Sequence, residues 1–252
     1  MEQTKLFKRK IYQEMLRWKE ERQGETALLI EGARRIGKST IVEEFAKNEY
    51  SSYILVDFSK TATEINDLFN DLSDLNYIFL RLQLNYNVSL KERKSLIIFD
   101  EVQNNPKARQ AIKHLVKDHR YDYIETGSLI SIRKNVQNII IPSEETRISM
   151  HPMDFEEFRW AMGDNVTFTL LKTVLEQKQP LGEAIHRKLM RDFRLYMLVG
   201  GMPQAVDKYI KTNNLSAVDT VKRDIIALYE EDLRKIDTSG KATAMFDAIP
   251  SQ

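Results

Sequence analysis

The residues best suited to chemistry form the motif G-x-x-x-x-G-K-S. It consists of Gly32, Ala33, Arg34, Arg35, Ile36, Gly37, Lys38 and Ser39, with Thr40 directly after it. Glycines allow the backbone to curl so that successive N–H groups face an anion. Lys38 supplies a positive charge for the β- and γ-phosphates of a nucleotide, and Ser39 offers a hydroxyl to Mg²⁺. The motif therefore predicts a phosphate-binding loop, and we expect residues 32–40 to hold the nucleotide.

A second candidate site begins where an apolar run ends in two acids. Residues 96–101 read Leu-Ile-Ile-Phe-Asp-Glu, and such a run is typical of a strand covered on both faces. Asp100, at the carboxyl end of that strand, is suited to hold the Mg²⁺ shell. Glu101 is suited to polarise a water for attack on the γ-phosphate. Asp100 and Glu101 follow the phosphate loop with a strand and a helical stretch between. This spacing favours a role in the nucleotide site over an ordinary exposed strand end.

Polar residues at the end of another predicted strand are candidate sensors of the γ-phosphate. Residues 126–128 read Thr-Gly-Ser, and a side chain there points between the two motif strands. Ser128 is the first candidate and Thr126 the second. Ser128 is also a good N-cap for a helix starting at Leu129, and the two roles are compatible.

Three arginines are candidates for contact with phosphate. Arg34 and Arg35 are long enough to reach a phosphate or a neighbouring molecule, and solvent exposure explains them equally well. Arg147 lies in the last predicted strand, where an arginine at a strand end stabilises transition-state charge in cis or across a subunit contact. An ion pair with Glu144 or Glu145 explains it equally well.

Alternating strands and helices must position these residues. Apolar runs predict strands at residues 26–31, 52–58, 95–100, 121–126 and 145–150. Helical spacing predicts helices at 6–22, 38–48 and 106–119, and one or two helices within 61–86. The pattern predicts an α/β fold, a P-loop three-layer sandwich around a parallel five-stranded sheet. Because another strand separates the two motif strands in sequence, we expect 121–126 to insert between them, giving the strand order 5-1-4-3-2.

The pattern becomes entirely helical after Pro152. Helices are predicted at 154–162, 166–178, 184–199, 203–212 and 215–236. We therefore expect a core with an N-terminal helix (1–151), a helical lid (152–237) and the start of a further region (238–252).

Composition limits the classes of function. The chain has 38 Lys and Arg against 37 Asp and Glu, a net charge of +1, so it lacks the basic surplus of a constitutive nucleic-acid binder. Cys is absent, which excludes disulfides and thiolate metal sites. No apolar run of about 18 residues occurs in the sequence. Because residues 1–18 are polar, we expect no signal peptide. We expect a cytoplasmic protein without a membrane partner.

Two other classes of nucleotide enzyme, GTPases and small-molecule kinases, are disfavoured. The guanine motif N-K-x-D is absent, and the third residue after Asp100 is Gln103 rather than Gly. Adjacent Asp100 and Glu101 suit the activation of water better than the phosphorylation of a metabolite.

These motifs together resemble a known family. The stretches GARRIGKST (32–40), IFDEVQ (98–103), ETGS (125–128), RISMHPMDFEEF (147–158) and GGMP (200–203) are similar to the prokaryotic AAA-type ATPases that carry a C-terminal domain of uncharacterised function. That family resembles the STAND group of signalling NTPases. The matching stretches extend over most of residues 8–236.

The resemblance implies several features that the residues alone do not. It implies an ATP or ADP site with Mg²⁺ between the core and the lid, with Gly201 and Pro203 approaching the adenine. It supports Ser128 as a sensor and Arg147 as an arginine that acts in cis or in trans, the latter requiring an oligomer. Family members usually continue into a further domain, so we expect the chain to be a truncated form.

Three functions follow as hypotheses. The first is a Mg²⁺-dependent ATPase in which Lys38 and Glu101 are catalytic. The second is a nucleotide-gated signalling switch with slow hydrolysis and an unidentified macromolecular partner. The third is an ATP-driven protein that handles nucleic acid, supported only by the basic N-terminal helix and by Arg133 and Lys134.

Overall fold

The structure is a computed structural model that describes residues 6–128 and 144–249. The chain divides into two compact units. The core unit is Lys10–Met150, and the helical unit contains the described residues 6–9 and 151–249. Arg133 and Lys134, which were considered for nucleic-acid contact, lie outside the described residues, as does Leu129.

A five-stranded parallel sheet forms the centre of the core unit. Its strands are β1 (Ala27–Gly32), β2 (Ser52–Asp57), β3 (Ser95–Asp100), β4 (Asp122–Ser128) and β5 (Glu145–Met150). Their order is β2-β3-β4-β1-β5, which confirms the predicted order. Strand β4 therefore lies between the two motif strands and pairs with both. Its last residue, Ser128, is in register with Gly32 at the carboxyl edge of the sheet.

Helices flank this sheet and confirm the α/β class. They are α1 (Ile11–Arg22), α2 (Lys38–Glu49), α3 (Thr63–Asp67), α4 (Leu75–Tyr86) and α5 (Pro106–Asp118), with 3₁₀ turns at Leu68–Asn70 and Val102–Asn104. The stretch 61–86 contains two α-helices, the second of the two predicted alternatives. The Asp74 side chain accepts a hydrogen bond from the Tyr77 N–H at 3.1 Å and starts α4. Helix α5 starts with Asn105 as its cap and Pro106 in its first turn.

An aromatic cluster fixes the end of β3. All six residues of β3 are buried, as expected for an inner strand of a parallel sheet. Phe99 packs edge-on against Phe69 with ring centroids 5.2 Å apart, and its centroid lies 5.5 Å from that of Phe58. Because Phe99 directly precedes Asp100, this packing holds the position from which the two acids project.

The first helix begins later than its spacing predicts. The prediction placed its start at residue 6, whereas α1 begins at Ile11. Phe7 is instead buried in the core of the helical unit, in one cluster with Met153 and Phe158. Tertiary packing therefore overrides the helical spacing of these few residues.

The helical unit contains six described helices. They are α6 (Phe155–Ala161), α7 (Thr167–Glu176), α8 (Glu183–Val199), α9 (Pro203–Thr212), α10 (Leu215–Ile236) and α11 (Lys241–Ala248). The first five confirm the predicted helices. Helix α11 was not predicted; Asp237 precedes it and accepts hydrogen bonds from the N–H groups of Ser239 at 2.9 Å and Ala242 at 2.8 Å.

Candidate functional site

The predicted phosphate loop connects β1 to α2 at the carboxyl edge of the sheet. A Cβ added to Gly32 would lie 2.3 Å from the Met150 carbonyl oxygen of β5, so only glycine fits there. Elsewhere in the loop, two residues have positive φ, Arg35 at 68° and Gly37 at 93°. Gly37 immediately precedes α2. The loop therefore turns sharply into a helix N-terminus, which is the backbone arrangement that favours bound phosphate.

Lys38 lies inside this loop. Its Nζ donates to the carbonyl oxygens of Gly32 at 3.0 Å and Ala33 at 2.9 Å. Burial lowers the pKa of Lys38, while the carboxylates of Glu101 and Asp100 raise it. The ammonium group is therefore held by two loop carbonyls, and its positive charge interacts favourably with the carboxylates of Asp100 and Glu101.

The other residues of the loop differ in exposure. Ile36 is fully buried and anchors the loop. Arg34 is half-buried and its charge lowers the pKa of Lys38, so its guanidinium lies within electrostatic range of the site. Arg35 and Thr40 are exposed.

Asp100 is the acceptor that joins the two motifs. Ser39 Oγ donates to Asp100 Oδ1 at 2.8 Å. The buried Thr126 hydroxyl of β4 donates to the same oxygen. A hydroxyl and a carboxylate oxygen in contact form the pair of side chains that P-loop proteins offer to Mg²⁺.

Glu101 follows in a left-handed backbone conformation, with φ of 53° and ψ of 46°. Its N–H donates to Thr126 Oγ1 at 3.2 Å. Its Oε2 accepts a hydrogen bond from Nε2 of Gln103. The side chain is half-buried, so its carboxylate is reachable by water.

The two sensor candidates have different surroundings in the structure. Ser128 is half-buried at the end of β4, beside Gly32. Thr126 is the residue that contacts both Asp100 and Glu101. Two residues along a strand return to the same face, so the Thr-Gly-Ser segment presents both hydroxyls toward one side of the sheet.

Arg147 lies within β5, whose bounds match the predicted strand 145–150, and not at the carboxyl end of that strand. It is the third residue of β5 and pairs with Leu29, three positions before the β1 residue Gly32. At 3.3 Å per residue this is about 10 Å from the edge that carries the loop. Its Nε lies 2.5 Å from Glu145 Oε1, so the structure contains the ion pair that was the alternative interpretation.

The few metal-binding side chains at this site suit Mg²⁺ better than a metal ion that is held by protein ligands alone. Within residues 6–128 and 144–249, no group of three or more His, Asp or Glu side chains is arranged to hold a metal ion. Mg²⁺ at phosphate sites keeps several waters and takes one or two protein ligands together with phosphate oxygens. Ser39 and Asp100 supply that limited set.

A family comparison identifies the unit that carries this site. A family model described as an AAA domain matches residues 24–159, more than half of the chain. The chain belongs to the AAA domain family. A second model, described as a domain of unknown function (DUF8612), matches residues 190–252. The AAA domain match includes both motifs, and the second match covers most of the helices that follow.

Many solved structures are distantly similar to this chain, including one from C. elegans and one from Aeropyrum pernix. The structure of C. elegans PCH-2 has a TM-score of 0.46 at 10% identity, covering 85% of this chain and 69% of that one. The Aeropyrum pernix ORC1 protein in complex with DNA has a TM-score of 0.45 at 12% identity, covering 92% of this chain and 69% of that one. No curated protein matches the chain.

Two predicted residues of the site lie outside the AAA domain match. Gly201 has a packing function: its carbonyl accepts the Met153 N–H at 2.7 Å, and an added Cβ would lie 2.2 Å from the Met153 carbonyl oxygen. Pro203 is the first residue of α9, where a missing N–H costs nothing. Their contact with adenine stays a prediction.

The AAA domain also contains a buried charge cluster that sequence reasoning missed. Arg109 of α5 lies 2.9 Å from Glu145 and 3.9 Å from Glu125, and all three are almost completely buried. Burial, opposed by Arg109, raises the pKa of Glu125 well above its ordinary value. The only signal in sequence was two glutamates inside predicted strands, which single-sequence reading does not distinguish from surface residues.

No helix of the described residues is both long and apolar enough to cross a membrane.

Proposed function

We propose that the chain binds ATP with Mg²⁺ and hydrolyses it. The observation that carries the proposal is the hydrogen bond between Ser39 and Asp100, because it joins the phosphate loop to the acid that follows β3. The AAA domain match supports adenine as the base. The absence of the N-K-x-D motif from the sequence agrees with this choice.

Each residue of the site has a chemical role in this proposal. The loop amides and Lys38 hold the phosphate oxygens and offset their charge. Ser39 and Asp100 would hold Mg²⁺, which supplies charge neutralisation at the phosphates. Glu101 accepts a proton as the water oxygen bonds to the γ-phosphorus, while the bond from that phosphorus to the bridging oxygen breaks and ADP leaves.

Further assignments concern residues outside the phosphate loop and the acid pair. Ser128 is proposed to contact the γ-phosphate from β4, where Thr126 supports the acids. Arg147 is proposed to act only across a contact with another molecule, since it pairs with Glu145 within this chain. Gly201 and Pro203 are proposed to approach the adenine.

Two single variants test the ATPase. Lys38→Ala should lose nucleotide binding, measured with a fluorescent mant-ADP titration, because it removes the cation inside the loop. Glu101→Gln should keep mant-ADP binding and lower phosphate release by about 10²- to 10⁴-fold, the contribution typical of a general base. Unchanged turnover in Glu101→Gln would contradict the assignment.

Three further measurements on the wild-type protein separate the alternatives. A signalling switch would retain ADP through purification and show a burst of hydrolysis followed by slow turnover. A protein that handles nucleic acid would bind DNA with an affinity that falls steeply as salt rises. An ATPase of the proposed kind shows sustained turnover without DNA.

A further inference from the structure

The backbone of Glu101 is fixed on both sides. Its left-handed φ and ψ belong to a region that residues other than glycine rarely adopt. Its N–H donates to Thr126 Oγ1 at 3.2 Å, and its carbonyl accepts the Asn104 N–H at 3.0 Å. Uncommon backbone conformations that are held in this way concentrate at functional sites.

The turn that follows brings Gln103 back to the Glu101 side chain. Val102 is fully buried and anchors the 3₁₀ turn. Gln103 is buried as well, and its Nε2 donates to Glu101 Oε2. A carboxylate only accepts and an amide nitrogen only donates, so this hydrogen bond has one possible polarity. The carboxylate is therefore held by a side chain that is itself packed.

We propose that Gln103 is the positioning residue for Glu101 in hydrolysis, an inference that rests on the ATPase function proposed above. Its amide engages Oε2, so Oε1 is the oxygen that receives the proton of the attacking water. Hydrogen bonds to an ionised acceptor are about twice as strong as neutral ones. A displacement of about 1 Å at a reacting group can lower the rate by about 100-fold. A hydrogen bond that holds the Glu101 carboxylate in place therefore favours hydrolysis.

The chemistry of the contact restricts the residue at position 103. Leucine has a similar size and shape but no donor. Glutamate would place a second carboxylate against Glu101, and like charges repel. We expect turnover to fall in the order glutamine, leucine, glutamate.

A double-mutant cycle at Glu101 and Gln103 tests the proposal. Wild type, Gln103→Leu, Glu101→Gln and the double variant are compared for kcat and KM with Mg-ATP, for mant-ADP affinity and for thermal unfolding. Gln103→Leu should lower kcat by about 10- to 100-fold, the value of a hydrogen bond to a charged group. Mant-ADP affinity should stay within about twofold, and Gln103→Leu should have no further effect on turnover in the Glu101→Gln background. Gln110→Leu, at a half-buried glutamine of α5, is the matched control and should turn over like wild type.

Each other outcome overturns the inference in a distinguishable way. If Gln103→Leu matches wild type while Glu101→Gln is inactive, the positioning role is wrong and the ATPase stands. If Gln103→Leu lowers mant-ADP affinity and thermal stability by the same amount in the wild-type background and in the Glu101→Gln background, Gln103 has a structural role only. If wild type releases no phosphate from ATP, both this inference and the proposed function are wrong.

Discussion

Thr126 donates a hydrogen bond to Asp100 Oδ1, the oxygen that also accepts from Ser39. The same threonine accepts the N–H of Glu101 at 3.2 Å. One fully buried side chain on β4 thus connects both acids at the end of β3 to the strand between the two motifs. The sheet order is what makes this contact possible, because β4 is the neighbour of β3.

The first prediction concerns this threonine. Thr126→Val keeps the shape of the side chain and removes both hydrogen bonds, so Asp100 and the backbone of Glu101 lose a common support. We expect kcat for Mg-ATP to fall about tenfold or more, in line with hydrogen bonds that involve a charged group. Phosphate release measured over a Mg²⁺ titration is the test. Thr126→Ser keeps the hydroxyl and is expected to retain most activity.

Ser128→Ala is the comparison within the same strand. Ser128 lies beside Gly32 and not beside Asp100 in the sheet register, so its loss should leave the Mg²⁺ dependence unchanged. An equal shift of the Mg²⁺ dependence in Ser128→Ala and Thr126→Val would contradict the separate roles.

Sequence alone predicted the parts of the fold that have strong local signals. The acid pair was predicted because an apolar run ending in Asp100 and Glu101 is typical of a buried strand and its edge. The strand order followed from the intervening strand between the motifs. These inferences need only spacing and hydrophobicity, which a single sequence contains.

The contacts that sequence did not predict depend on side-chain geometry between distant segments. Thr126 ranked behind Ser128 because the register that brings Thr126 to Asp100 is a tertiary property. The strand of Arg147 was predicted with its bounds, but its ion pair with Glu145 was only one of two open alternatives. The partner of Gln103 could not be predicted either, since it depends on the turn that Glu101 starts with its positive φ.

The second prediction separates packing from ligand binding at Gly201. An added Cβ would lie 2.2 Å from the Met153 carbonyl oxygen, so Gly201→Ala must push two backbone segments apart. We expect a loss of about 1–3 kcal/mol in the free energy of unfolding, measured by denaturant titration. Gln204→Ala, at an exposed position of α9, is the control. Weaker ATP binding with unchanged stability would instead favour the predicted contact with adenine.

The third prediction is a pH dependence caused by Glu125. Burial raises the pKa of this carboxyl, and Glu145 raises it further, against the lowering effect of Arg109 and Arg147. A raised folded-state pKa stabilises the protein fully below the unfolded value of about 4.3, and this contribution is lost as the pH rises through the folded-state pKa. We expect wild type to lose stability with rising pH more steeply than Glu125→Gln, which resembles the protonated form.

Denaturant titrations between about pH 5 and 9 measure these slopes. Glu64→Gln is the control, since the Glu64 side chain is 79% exposed and its loss should leave the wild-type slope intact. Parallel slopes for wild type and Glu125→Gln would show that Glu125 titrates normally in the folded protein.

The fourth prediction concerns Arg9, which precedes α1 and belongs to the helical unit. Its Nε lies 3.1 Å from Glu157 Oε2, with both side chains 6% exposed, and it also donates to the His151 carbonyl. Glu157 completes the capping box of α6 with Asp154. Arg9→Met leaves a buried carboxylate without this cation, and breaking such a pair typically costs about 3–5 kcal/mol.

We expect Arg9→Met to lower the unfolding temperature markedly, measured by calorimetry. Arg17→Met changes an exposed arginine on α1 and should have little effect. The double variant Arg9→Met with Glu157→Gln removes the stranded charge and should recover part of the loss. If the single and double variants were equally unstable, the cost would come from lost packing of the arginine stem rather than from the buried charge.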